Sequence, residues 1–444
     1  MPRYEFSEGK SSKFWEIELD GESFTTKWGR IGTTGQEASK DFDSRGEAKR
    51  EYDKLVAEKV KKGYALVSAG GGDAPPAAKS NPALEDAIRA NPDDVHVYEV
   101  YGDWLQANGD ARGELVAVQI GLAAKQDPKL AAREKELLSS LSDQLHDPDL
   151  ASMVGEAVRI TWRNGFYDTV RISLPYDDAD GADIDALVKA VLGHASGRFL
   201  GGLTIGMFDY EGENHYPRIT KLLKAAGPIP TLRSLFLGDF EYPDETEMSW
   251  ANVGDIGKLW ELYPNLEDLT LQGADIGLGK IVAPKLRSLL LRTGGLPRGV
   301  FKSLAAAAFP ALERLVVWTG SGSYGADSKL KDLAPVLAGE NLPALKHLGV
   351  ANSELAGEVL KALPKSKILS RLKSLDLSMG TLNDEEAEPF FSNTEAFRHL
   401  ESIDLADNTL SSGTVDRLTK LGLKIAAGSQ REHDPEYRYT AVGE

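Results

Sequence analysis

The sequence predicts an α/β fold in three parts: a small α+β domain, a short helical module, and a long run of strand-plus-helix units. Three observations carry this. Eight segments of the second half share one apolar pattern at recurring intervals. The first 66 residues read as short alternating strands followed by one helix. Between them, residues 81–122 carry helical stripes separated by cap and turn residues.

Composition sets the outer limits. The chain has 444 residues, 41% of them hydrophobic and 27% charged, with net charge −17. That is enough apolar side chain to build cores, and enough length for two or three domains. No run approaches the roughly 18 apolar residues of a membrane span. The first 15 residues hold no apolar signal core, so the expected location is cytoplasmic, with no membrane partner. Cysteine is absent, which excludes disulfide scaffolds, Cys-ligated metal sites and thiol nucleophiles.

The charge is unevenly placed. Residues 1–66 hold 13 Lys+Arg and 13 Asp+Glu; residues 81–150 hold 6 and 14; residues 151–444 hold 31 and 40. The acidity therefore belongs to everything after the first domain, and any nucleic-acid contact must be local to residues 1–66.

In that first domain, residues 3–8 and 13–19 read as strands, with Trp15, Ile17 and Leu19 alternating with polar residues. Asp20-Gly21 marks a turn, and Phe24–Trp28 reads as a further strand. Ser44 and Glu47 fit a capping box that opens a helix through Ala48, Tyr52, Leu55 and Val56, with Lys59 laying its stem along the apolar face. The run Lys27-Trp28-Gly29-Arg30-Ile31-Gly32-Thr33-Thr34-Gly35-Gln36 resembles the signature of the WGR domain, and residues 1–67 fit that family. The resemblance implies a domain that docks near a DNA end in DNA-damage-sensing poly(ADP-ribose) polymerases. Trp28 would pack on a terminal sugar or base, and Arg30 would contact DNA or a neighbouring domain. Lys27 and Lys40 would assist, while Glu37, Asp41 and Asp43 oppose phosphate. The plain alternative is that Trp28 packs the sheet and Arg30 pairs inside the domain. No polymerase domain follows.

Residues 68–80, SAGGGDAPPAAKS, read as a linker. The helical module, residues 81–150, starts a helix at Asn91-Pro92, with a stripe of Val97, Val100, Tyr101, Trp104 and Leu105, and ends it at Gly109. Its N-P-D-D, D-W-L and G-D-x-R-G-E features resemble a bacterial repeat-companion domain, a module that sits beside leucine-rich repeats and has no assigned catalysis. Asp103 and Arg112 are expected to form a buried pair; the alternative, an acid/base or metal cluster of Asp103, Asp110 and Glu114, is accompanied by no His or second ligand set.

The repeat segments begin at Leu200, Leu232, Leu266, Leu286, Leu312, Leu345, Leu372 and Leu400, at spacings of 32, 34, 20, 26, 33, 27 and 28 residues. Most of these lie at or slightly above the leucine-rich-repeat range of about 20–29. Five carry Pro two residues before the first Leu, which stops the preceding helix. Residues 151–427 are thus read as an α/β leucine-rich-repeat horseshoe, with a cap at 158–174 and a mobile polar tail at 428–444. In L1-x-x-L4-x-L6-x, positions 3, 5 and 7 face away from the core. That puts Phe236, Leu290, Val316 and Trp318, rimmed by Arg292, Arg314 and His347, on the concave face as a protein- or peptide-binding surface, unless an insertion (239–252 or 319–329) covers it.

Seven His residues occur without H-x-x-x-H or H-E-x-x-H spacing, and neither a G-x-S-x-G elbow nor a Walker loop is present. No catalytic residue, metal or cofactor is assigned, and no enzyme activity is expected. The expected function is a non-enzymatic adaptor of bacterial type. The alternatives are a sensor of DNA or RNA ends, and a regulatory subunit of an enzyme encoded elsewhere.

Overall fold

The computed structural model describes residues 2–8, 11–42, 45–68, 79–176, 183–432, 434 and 438–443. The first part is a five-stranded antiparallel sheet. Its strands are β1 (Arg3–Glu8), β2 (Ser11–Asp20), β3 (Ser23–Arg30), β4 (Gln36–Asp41) and, after helix α1 (Arg45–Lys61), β5 (Ala65–Ser68). They lie in the order β4-β3-β2-β1-β5. Trp15, Ile17 and Leu19 sit opposite Trp28, Thr26 and Phe24, and Tyr52, Leu55 and Val56 of α1 close the core over them. The alternation of β2 therefore faces the helix, as its period requires. The predicted cap Ser44 lies outside the described residues, as do residues 69–78 of the expected linker.

Six helices follow: α2 (Pro82–Ala90), α3 (Val95–Ala107), α4 (Arg112–Ala124), α5 (Pro128–Ser140), α6 (Ser142–Leu145) and α7 (Pro148–Ala151). The N-cap of α3 is Asp94, whose carboxylate accepts from the His96 amide; Asn91 instead closes α2. Asn91-Pro92 is not the helix start because Pro92 and Asp93 form a turn, and the Asn-Pro start belongs to Asn81-Pro82. Tyr98, Tyr101 and Leu105 are buried while Val100 is exposed, so the buried stripe is rotated from the expected one.

The expected Asp103–Arg112 pair does not form. Asp103 is exposed on α3. Arg112 is buried and bound by Asp110, two residues earlier, at 2.5 and 2.9 Å. The Asp110 carboxylate also accepts from the Arg112 amide at 3.0 Å, so one side chain serves both the helix start and the guanidinium.

These helices share a core with the next part: Ile88, Tyr98, Tyr101, Leu105 and Val116 pack with Phe166 and Phe199. Arg198 reinforces the junction by donating to buried Glu85 and to the Tyr101 hydroxyl, both at 2.7 Å.

The large sheet has eleven strands. Its edge is the antiparallel hairpin β6 (Val158–Arg163) and β7 (Phe166–Ile172). Then come β8 (Gly202–Gly206), β9 (Asn214–His215), β10 (Ser234–Asp239), β11 (Ala251–Asn252), β12 (Asp268–Gln272), β13 (Ser288–Arg292), β14 (Arg314–Gly320), β15 (His347–Ser353), β16 (Ser374–Asp376), β17 (Ser402–Asp404) and β18 (Ile425–Ala426). The two-residue β9 and β11 pair with each other. The rest add in sequence, each parallel to its neighbour from β7 onward. All eight repeat segments form strands. Their fourth and sixth positions, from Leu203 and Ile205 to Ile403 and Leu405, are each 2% exposed or less. Intervening helices such as α8 (Ile184–Gly193), α9 (Pro217–Ala226) and, further on, the one at Leu330–Ala338 contribute to the same continuous core. Position 2 forms a charge ladder along the strand starts: Arg233–Glu267 at 3.8 Å, Arg287–Glu313 at 2.7 Å, Lys346–Glu313 at 2.8 Å and Lys373–Glu401 at 3.1 Å.

Of the tail expected to be mobile, residues 438–443 return to the body. Val442 is buried, its amide donates to Asn352 Oδ1 at 2.8 Å and its carbonyl accepts from Asn352 Nδ2 at 2.7 Å. Ala441 donates to the Met379 carbonyl, and Arg438 donates to Glu386 and Thr381. Polar composition misled here because backbone amides, satisfied by buried Asn352, do the holding.

Candidate binding surfaces

The first surface lies on the helix side of the small sheet. Trp28, opposite Trp15 in register, is 38% exposed at the rim of a cleft floored by Trp15 and Phe24 and closed by Leu55 and Lys59 of α1. Arg30 follows on the same face, directly opposite Lys13. Both are exposed, and neither makes an ion pair among the described residues. Like charges facing each other across an antiparallel pair repel, and a bound anion relieves that repulsion. Lys59 adds a third cation, its Nζ 5.2 Å from the Trp15 ring. Burial, and then Lys62 beside it, pulls its ammonium below the usual lysine range. Lys40 lies across the cleft on β4, over Phe42 at 4.4 Å. Lys27 does not join them. It points to the other face, between Glu16 and Glu37 in register, because its strand position has the opposite parity.

The glycines between these residues have a packing cause. A Cβ on Gly35, at φ +69°, would stand 2.6 Å from Phe14 Cζ, and one on Gly29 would stand 2.8 Å from Gly35 Cα. Phe14 thus fills the side of the sheet away from the helix and pins the loop that follows Arg30.

The second surface is the large sheet's other face. The strand register aligns Thr204, Phe236, Thr270, Leu290, Val316, Gly349, Asp376 and Asp404 in one row. Phe236, Leu290 and Trp318 are half-buried. Val316, expected to be exposed, is buried at 5%, because it lies between Leu290 and Gly349 and overhangs the missing Gly349 side chain. Arg292 extends from the half-buried row, 5.8 Å above the Trp318 ring. Its polar partner is Gln272 Oε1 at 3.3 Å. Arg314 is exposed and stands beside His347 in register. The His347 Nδ1 sits 2.6 Å from Ser374 Oγ; burial, and then the Arg314 charge, lowers its basicity.

A family model, the WGR domain, matches residues 3–70. Residues 3–70 are a WGR domain. Two curated Escherichia coli K12 proteins resemble this stretch: YfeS, 39% identical over 62 residues, and YehF, 41% identical over 64 residues. The matches cover 14% of this chain and 25% and 23% of those proteins, so the chain spans about a quarter of the length of the curated relatives it matches. Across almost its whole length the chain is similar to a protein of Bacteroides fragilis of known crystal structure. The two are 26% identical with TM-score 0.54, and the likeness covers 99% of each chain.

Within the WGR domain, Trp28, Arg30 and Lys40 share one side, and sequence reading did not place Lys13 with them. Its signal is the register: only strand pairing shows that residue 13 faces residue 30. On the large sheet, Gln272, which holds Arg292, and Asn352, which holds the C-terminal segment, were missed because their sequence neighbours show no special pattern. Among the described residues no group of three or more His, Asp or Glu side chains is arranged to hold a metal ion, and no helix is long and apolar enough to cross a membrane.

Proposed function

We propose that this protein is a non-enzymatic adaptor. Its parallel-strand domain, read as a leucine-rich-repeat scaffold, takes a protein or peptide on the face of Phe236, Leu290 and Trp318, and its WGR domain docks to a second target. One observation carries the proposal: three strands, β10, β13 and β14, set Phe236, Leu290, Val316 and Trp318 on the same face of the sheet, beside Arg292 and Arg314. An apolar patch with arginine at its rim has the composition of an interaction centre. The test is affinity purification from the native cell, with nuclease, comparing parent, Phe236→Asp and Trp318→Asp. A partner retained by the parent and lost from both folded variants is the expected result; retention in both variants refutes this site.

A second reading has its own support in the WGR domain. Trp28 exposed beside the facing cations Lys13 and Arg30 suits a nucleic-acid end: an indole stacks on a base for about 1–3 kcal/mol, and arginine pairs with phosphate. Binding of a DNA duplex end is then expected at ~50 mM salt, weakening with a slope near −0.9 per phosphate contacted. Trp28→Ala should weaken it by roughly 5- to 150-fold, and Arg30→Ala should flatten the salt slope. Undetectable binding, or binding unchanged in both variants, removes this reading.

A further inference from the structure

We infer that the large-sheet surface selects an acidic segment, one that sets an Asp or Glu carboxylate beside an aromatic or aliphatic side chain. The inference rests on the docking reading above and names its partner's chemistry. Arg292 and Arg314 occupy neighbouring strands on this face, and neither makes an ion pair among the described residues. Around them, arginines are neutralised: Arg171 binds Asp239 at 2.5 Å, Arg233 binds Asp93 at 2.5 Å, Arg287 binds Glu313 at 2.7 Å. Asp239, the carboxylate acting on Arg292 from a distance, is committed to Arg171.

Arg292 is also removed from water. It is half-buried over the Trp318 ring with one long bond to an amide oxygen. Burial, and then the Arg314 charge on the next strand, pulls its basicity below the usual arginine value. A partly desolvated guanidinium with no carboxylate partner among the described residues, and a second unpaired cation on the next strand, is a standing electrostatic cost to the free protein, and a carboxylate bound at Arg292 offsets it. The flanking Phe236, Leu290 and Trp318 supply the apolar contact. A polyphosphate fits less well, because Asp268, Asp376 and Asp404 lie on the same face and repel a chain of charges.

The probe is a phage-displayed library of random 12-residue peptides, selected on the full chain, with the enriched peptides synthesised and titrated by fluorescence anisotropy. Enriched sequences should pair Asp or Glu with Leu, Phe or Trp. Changing their acids to Asn or Gln should weaken binding at least tenfold, as should Arg292→Gln combined with Arg314→Gln. Phe236→Asp should abolish it. Arg292→Gln alone should melt at or above the parent temperature, since no ion pair is lost; a clear drop would assign Arg292 to the fold and overturn the inference. Peptides that need Phe236 but show no acid dependence overturn the acidic class and leave the docking surface standing. A library with no Phe236-dependent peptide overturns both. A single-stranded 12-nucleotide probe that needs both arginines and binds more tightly than any peptide replaces the acidic segment with nucleic acid.

Discussion

Asp110→Ala is expected to remove about 3–5 kcal/mol of folding stability, the cost of stripping a buried charge of its partner. Arg112 is 2% exposed, and its guanidinium lies 5.7 Å from the Phe166 ring centroid, at the junction of helices and sheet. Asp110 is the carboxylate that neutralises it, and Arg112 Nη1 already lacks a partner among the described residues. The same substitution also removes the hydrogen bond that Asp110 accepts from the Arg112 amide at the start of α4. The pH dependence has a definite sign. Burial pushes the Asp110 carboxyl upward, but the Arg112 hydrogen bonds and charge outweigh it, and its folded-state value lies below the ordinary one. The stability it contributes is therefore complete above the ordinary aspartate value of about 3.9 and drains away as pH falls below that through the lower folded value. Urea unfolding at pH 7 and near pH 3 checks both parts: a large deficit in the variant at pH 7, narrowing in acid. A deficit under ~1 kcal/mol at pH 7 would place Arg112 in water-accessible surroundings.

Asn352→Ala is expected to release residues 438–443. The side chain of Asn352, fully buried, meets both the amide and the carbonyl of Val442, and its own backbone sits at φ +44°, a conformation Asn tolerates and Ala resists. Truncation leaves two buried backbone groups unpaired at roughly 1–3 kcal/mol each, and adds left-handed strain of about 1–2 kcal/mol. The body should survive while the segment detaches, because Val442 is one residue at the margin of a core that the leucines of eight strands build. Hydrogen exchange reads this directly: the amides of Ala441 and Val442 should lose protection while those of β15 keep it. Unchanged protection at Val442 would show that Arg431 and Arg438 hold the segment without Asn352. Arg431 donates to the Asp407, Gly380 and Tyr439 carbonyls, and Arg438 binds Glu386, so that outcome is physically defined.

The eight repeat strands of the large sheet were legible because each buries two alternate leucines or their equivalents at fixed positions, a signal that survives without any long-range information. Strand β4 was not legible. Its six residues, QEASKD, are all exposed, and it exists because β3 offers an unpaired edge for its backbone to bond. Val316 was placed on the correct face by its parity yet misjudged in exposure, since burial there depends on an absent side chain one strand away. Arg112 was seen to need a carboxylate, but it was paired with Asp103 on the preceding helix rather than with Asp110, which lies closer in sequence and turns back onto the guanidinium.

By itself, then, the sequence determined what is local or periodic: the signature around Trp28 and Arg30, the eight parallel strands, and the residues that share each face. These follow from side-chain alternation and from glycines that only a close-packed turn requires. Tertiary structure alone decided the pairings. It set Lys13 against Arg30, left Arg292 and Arg314 without ion pairs among the described residues, chose Asp110 for Arg112, and brought Val442 back to Asn352. Such contacts depend on which strands become neighbours and on how deeply water is excluded between them, and neither quantity is written in the spacing of residues along one chain.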